Sequence, residues 1–112
     1  MITIHRGTNK ELVISLKDDA NNEYKLSDTE TLIFGVKDNV QNDYIFSKII
    51  KSDTFNATQG GYILELKPED TQNMAFGDYL YDIGLQKENG EFHIVVPCNA
   101  FIVAETVTER MI

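Results

Sequence analysis

The sequence has no tryptophan, one cysteine and two prolines, and its basic residues are outnumbered, ten against eighteen acidic ones. Each scarcity excludes something. A lone Cys98 cannot close an internal disulfide, so the fold does not depend on an oxidising compartment. A formal charge of −8 repels phosphate backbones and anionic headgroups, which argues against nucleic-acid partners and against a membrane surface. No run approaches the ~18 apolar residues that span a bilayer. The start, Met1-Ile2-Thr3-Ile4-His5-Arg6-Gly7, lacks the apolar core and small-residue cleavage site of a secretory signal. These features predict a chain made in the cytoplasm.

What is present is ordinary globular composition, 42% hydrophobic and 25% charged over 112 residues, enough for one domain spanning 1–112. A chain of this size buries roughly two-thirds of its unfolded surface and needs no staple.

The dominant pattern is alternation with period two, the mark of half-buried strands. Leu12, Ile14 and Leu16 share one side of residues 10–17, and Leu32, Phe34 and Val36 share one side of 30–37. Tyr62, Leu64 and Leu66 follow, then Tyr79, Tyr81, Ile83 and Leu85, then Phe92, Ile94 and Val96. Residues 44–51 carry apolar side chains in both phases, so the pattern leaves their register open. Asp18-Asp19-Ala20-Asn21-Asn22, Gly60-Gly61 and Asn89-Gly90 read as turns, the last as a hairpin. Pro68-Glu69-Asp70-Thr71 opens one short helical turn near 68–75, with proline at the first position and acids facing the helix dipole. With Ile2–His5 and Ala100–Val107 added, seven to eight evenly spaced strands predict an all-β antiparallel sandwich. The expected core is Leu12, Ile14, Leu16, Phe34, Val36, Leu64, Leu66, Tyr79, Tyr81, Ile83, Phe92 and Ile94. Tyr79 or Tyr81 is also placed to tie its hydroxyl to upstream backbone at a strand corner.

No catalytic motif appears. His5 and His93 lie on predicted strands without a nucleophile beside them, and Cys98 follows Pro97 among apolar neighbours, as a small buried hydrophobe would. No catalytic, cofactor-binding or metal-binding residues are assigned. The oxygen-rich run Asp18, Asp19, Asn21, Asn22 and Glu23 lacks the spacing and glycine of a calcium loop and reads as a polar turn, with an adhesin-like calcium module as a minor reading. The faces opposite the core carry Val13, Ile33, Ile63, Leu80 and Val95. On neighbouring strands these would form an exposed apolar patch suited to self-association or to docking on another protein. Sandwich edges, with Ile2–His5 and Ala100–Ile112, offer strand addition in trans as a second route.

The order of elements resembles the N-terminal domain of phage baseplate upper proteins and related small immunoglobulin-like domains of tailed-phage and prophage structural proteins. The matching pieces are the opening strand closed by Arg6-Gly7-Thr8, the Leu12–Leu16 strand, a polar turn leading to Tyr24-Lys25-Leu26-Ser27, and Phe34-Gly35-Val36-Lys37. The most specific is Leu64-Glu65-Leu66-Lys67-Pro68-Glu69-Asp70-Thr71 followed by Gly77-Asp78-Tyr79-Leu80-Tyr81-Asp82-Ile83, completed by Asn89-Gly90, Phe101-Ile102-Val103 and Val107-Thr108. In this chain Asn21-Asn22 stands where the family's hairpin turn usually holds glycine. The resemblance implies an immunoglobulin-like, non-enzymatic building block of a phage tail or baseplate, a virion component whose partners are other phage structural proteins or copies of itself. The alternative is a surface module that recognises carbohydrate or a host receptor through loop aromatics such as Tyr44 and Phe55.

Overall fold

A computed structural model describes residues 1–106 of the chain. Among the described residues eight strands form two sheets. The larger has the order β1 (Ile2–His5), β8 (Phe92–Ala104), β7 (Gly77–Gln86), β3 (Thr31–Lys37), β4 (Phe46–Ile50). The smaller has the order β2 (Lys10–Ile14), β6 (Gly61–Leu66), β5 (Phe55–Asn56). Pairing is antiparallel except at one edge, where β1 runs parallel to β8 with Ile4 opposite Val103. Alternation specifies which face is buried but not strand direction, so this departure from an all-antiparallel sandwich leaves no trace in the pattern.

One apolar core fills the space between the sheets. Ile14, Tyr62, Leu64 and Leu66 enter from the smaller sheet, and Ile4, Leu32, Phe34, Val36, Ile50, Ile83, Phe101 and Val103 from the larger. At its centre Phe34 meets Tyr81 and Phe101, with ring centroids 5.6 and 6.2 Å apart, inside the range of favourable aromatic pairs. Leu12 and Tyr79 are only half-buried and pack on the margin of the core.

Phe92 and Ile94 do not join the core; they stand on the outer face, 53% and 51% exposed. The reason lies in β8, one continuous strand where the sequence suggests two. Gly84 faces Ile94 while its neighbour Ile83 faces Val96, so Val95 is an extra residue that resets the alternation. A second extra residue falls at Pro97-Cys98, between the pairs Ile83–Val96 and Tyr81–Asn99. Proline, which cannot donate to a ladder, is tolerated in such a bulge. The bulge also turns Cys98 out, so it is exposed instead of buried.

The remaining register question resolves at β4. Phe46 pairs with Val36 and Ile50 with Leu32, both on the core side, so Ile49 pairs with Ile33 on the outer side.

The helix α1 (Pro68–Thr71) is a single turn that carries the chain from the smaller sheet to the larger. Proline occupies its first position, and the Asp70 carboxylate accepts the Lys67 N–H at 2.8 Å, satisfying a donor that a helix start leaves free. The same carboxylate meets Lys48 Nζ of β4 at 2.8 Å. Thr71, fully buried, accepts the N–H of Gly7 on its Oγ1 at 2.9 Å and fixes the turn after β1. Tyr79 at the start of β7 donates its hydroxyl to the carbonyl of Ala75 at 2.7 Å, the corner anticipated for Tyr79 or Tyr81.

Candidate functional site

The five residues expected to form one outer patch separate into three places. Ile33 and Leu80 lie on the outer face of the larger sheet, opposite Gly84 and Lys37 respectively. Val13 and Ile63 face each other on the outer side of the smaller sheet, on the far side of the core, next to the Glu11–Glu65 pair. Val95, the bulge residue, packs against the core and, with Leu16, Leu85, Val96 and the turn residues Lys17, Asp18 and Asp19, lines an open hollow of about 610 Å³ at its edge. Alternation marks an outward position only where no bulge interrupts it, and it does not distinguish the smaller sheet from the larger.

A continuous apolar band nevertheless exists, built from Ile33 and residues the pattern assigned elsewhere. Across four adjacent strands, Ile49 of β4 stands opposite Ile33 of β3, Ile33 opposite Gly84 of β7, and Gly84 opposite Ile94 of β8. The ring of Phe92 lies over Gly84, where any β-carbon would collide with it. Glycine there lets an aromatic ring close the row without a gap. Ile49 is 67% exposed. Along its borders the paired outer residues are Thr31 and Gln86 on one side and Ser47, Gly35 and Asp82 on the other.

Beside the band a second glycine repeats the device. The ring of Tyr44 lies over Gly35, and Lys37 Nζ stands 4.9 Å from its centroid, within cation–π reach. Tyr44, Val40, Leu80 and Cys98 then line a hollow of about 110 Å³, with Lys37 and Asp82 at its charged end. This face therefore gathers Val40, Tyr44, Ile49, Phe92 and Ile94, all among the most exposed large apolar side chains of the described residues. Phe55, by contrast, is not a loop-tip aromatic: it packs edge-on against Tyr62, centroids 5.2 Å apart, with Lys25 over its ring.

The polar candidates have local duties. Asp18 Oδ1 accepts the N–H groups of Ala20 and Asn22, and Asn21 takes a left-handed conformation at φ 64°, closing the turn with its own side chains. Among the described residues no group of three or more His, Cys, Asp or Glu side chains is arranged to hold a metal ion. His93 Nε2 lies 3.4 Å from the carboxylate of Glu91, and this contact helps hold the Glu91 carboxyl below its usual range. His5 Nδ1 lies 3.3 Å from the carbonyl oxygen of Glu105. The buried Glu30 accepts the Ser27 N–H at 2.9 Å and the Tyr24 hydroxyl at 2.5 Å. Burial pushes its carboxyl up, but those bonds and the charge of Lys87 outweigh burial and hold it low. Bonding to Glu30 in turn pushes the Tyr24 hydroxyl up to about 12.

Neither expected edge strand is simply open. Ile2–His5 is paired with Phe101–Ala104 in the chain itself, and residues 107–112 of the other segment lie outside the described residues. Asn99 Oδ1 accepts the Ala100 N–H at 2.7 Å, a side chain occupying a donor on the run of β8 beyond reach of β1. Among the described residues no helix is long and apolar enough to cross a membrane. No protein-family model matches the chain, and no curated protein matches it.

Proposed function

We propose that the chain is a non-enzymatic structural protein of phage or prophage origin, immunoglobulin-like in topology, that works through protein–protein contact on the outer face of its larger sheet. The observation that carries this reading is the uncharged apolar band Ile49–Ile33–Phe92–Ile94, spread over four strands where a sheet facing water normally alternates to polar residues.

The topology supports the immunoglobulin-like part. The order β2-β6-β5 corresponds to strands B-E-D, and β8-β7-β3-β4 to G-F-C-C′ of a variable-type sandwich. Tyr79, near the start of the F-equivalent strand, makes the corner bond to backbone four residues upstream. Phe34 on the C-equivalent strand, packed on Tyr81 and Phe101, fills the centre that tryptophan and a disulfide fill in antibody domains. A core of this kind holds a rigid sheet, and a rigid sheet presents a fixed binding face at little ordering cost. Symmetry can then multiply modest contacts into a stable particle.

The test is mass spectrometry of phage particles purified from the bacterium that carries the gene, combined with a photo-cross-linking residue placed at Ile94. The expected result is the chain in the particle at a fixed ratio to other structural proteins, cross-linked from position 94. Particles devoid of the chain, with all of it in the cell extract, would refute the reading.

A further inference from the structure

Resting on the reading of this face as a protein interface, we infer that its occupant is a second copy of the same chain, packed sheet face to sheet face about a two-fold axis.

Area is the first argument. Val40, Tyr44, Ile49, Phe92 and Ile94 are between 51% and 67% exposed. For side chains of this size those fractions leave roughly 600 Å² on one face. A specific interface takes about 800 Å² from each partner, so the band with a modest polar rim is large enough. The smaller sheet offers much less: Val13 is 41% exposed, Ile63 is half-buried, and Glu11 and Glu65 stand beside them.

Charge is the second. Each copy carries −8, so two copies attract only through a surface from which that charge is missing. The band has no ionised side chain, and next to it stand Lys37 and Asp82, one of each sign, lining the same hollow. In an isologous contact every residue meets the same surface it belongs to, so Lys37 on one copy can answer Asp82 on the other. A strongly basic partner would find no acidic cluster on the band to recognise. Geometry agrees, because one twisted sheet packs naturally on another with strands about 30° apart and interdigitated side chains. The rings of Phe92 and Tyr44, lying over Gly84 and Gly35, keep the face low enough for such an approach.

Light scattering and sedimentation velocity over a range of concentrations test this on the wild type and on three folded variants. Ile49→Glu and Ile94→Glu place charge in the band at positions that are already exposed, and Val13→Glu is the control on the opposite face. Circular dichroism and melting verify that each variant folds. The expected result is a wild-type dimer of twice 12.7 kDa, weakened about tenfold or more by either band variant and unchanged by Val13→Glu. A wild type that is monomeric at every concentration overturns the second-copy inference alone, because cross-linking from position 94 to a different particle protein would still uphold the interface. A dimer that both band variants leave intact overturns the inference as well. If Val13→Glu dissolves that dimer, self-association is placed on the other sheet.

Discussion

The hydroxyl of Tyr62 on β6 accepts the backbone N–H of Leu26 at 2.6 Å, inside the core. Tyr62 is almost fully buried and Leu26 belongs to the connection that leads from the smaller sheet to β3. One side chain thus supplies core volume and satisfies a donor that no ladder reaches. Replacing Tyr62 by Phe keeps the ring and strands that N–H, at a cost of about 1–3 kcal/mol. For a domain of this length, each 1 kcal/mol corresponds to a Tm change of roughly 4 °C. Thermal melting checks this. A Tyr62→Phe variant that melts with the wild type would mean the bond contributes nothing.

The Tyr24–Glu30 pair sets two limits on pH. Glu30 is held below its ordinary 4.5, so the stability it contributes is present above that value and is lost as pH falls through the lowered folded value. Tyr24 is raised from 10.0 to about 12, so its contribution is complete below 10 and disappears between 10 and about 12. Ultraviolet titration should find Tyr24 ionising near 12. Glu30→Gln should bring that tyrosine back toward 10 and flatten the acid limb of the stability curve. The absence of any tyrosine ionising that high would contradict the assignment.

Asp70 joins the two sheets by holding Lys67 N–H and Lys48 Nζ at once. Asp70→Ala removes both and should cost about 1–2 kcal/mol, most of it from the helix start. Asp70→Asn retains an acceptor for the N–H and should lose less. Denaturant titration separates the two variants, and added salt should narrow the gap between wild type and Asp70→Asn. Equal losses in both variants, unaffected by salt, would contradict this division.

Cys98 is exposed in the second bulge of β8. A thiol reagent should therefore modify it in the native protein at a rate close to that in denaturant, and Cys98→Ser should shift stability by less than about 0.5 kcal/mol. Protection of the thiol until global unfolding would place it in the core and contradict the bulge.

These bulges mark where the sequence stops being legible. In β7, Tyr79, Tyr81, Ile83 and Leu85 alternate without interruption, and the face they mark is the face that packs on the core. The turn at Asn89-Gly90 and the proline-led helix were equally plain, because each depends on neighbours in sequence. β8 begins with the same alternation, but an inserted Val95 sends Phe92 and Ile94 outward and Val96 inward. An inserted residue has the same composition as a regular one, so only the partner strand reveals it. Residues 44–51 were ambiguous for a related reason. Ile49 is apolar because it belongs to the outer band, Ile50 because it belongs to the core, and periodicity cannot rank two apolar faces. The candidate surface is thus half-legible: alternation places Ile33 and Leu80 outward, whereas Ile49, Phe92 and Ile94 depend on the register of β4 and β8. Ambiguous phase was itself a signal of a strand with two apolar faces.

The most direct measurement is methyl NMR of the wild-type protein across a concentration series. The methyl groups of Ile33, Ile49 and Ile94 should shift or broaden together as concentration rises, while those of Val13 and Ile63 stay fixed. Shifts confined to Val13 and Ile63, or a spectrum independent of concentration throughout, would contradict a self-associating face on the larger sheet.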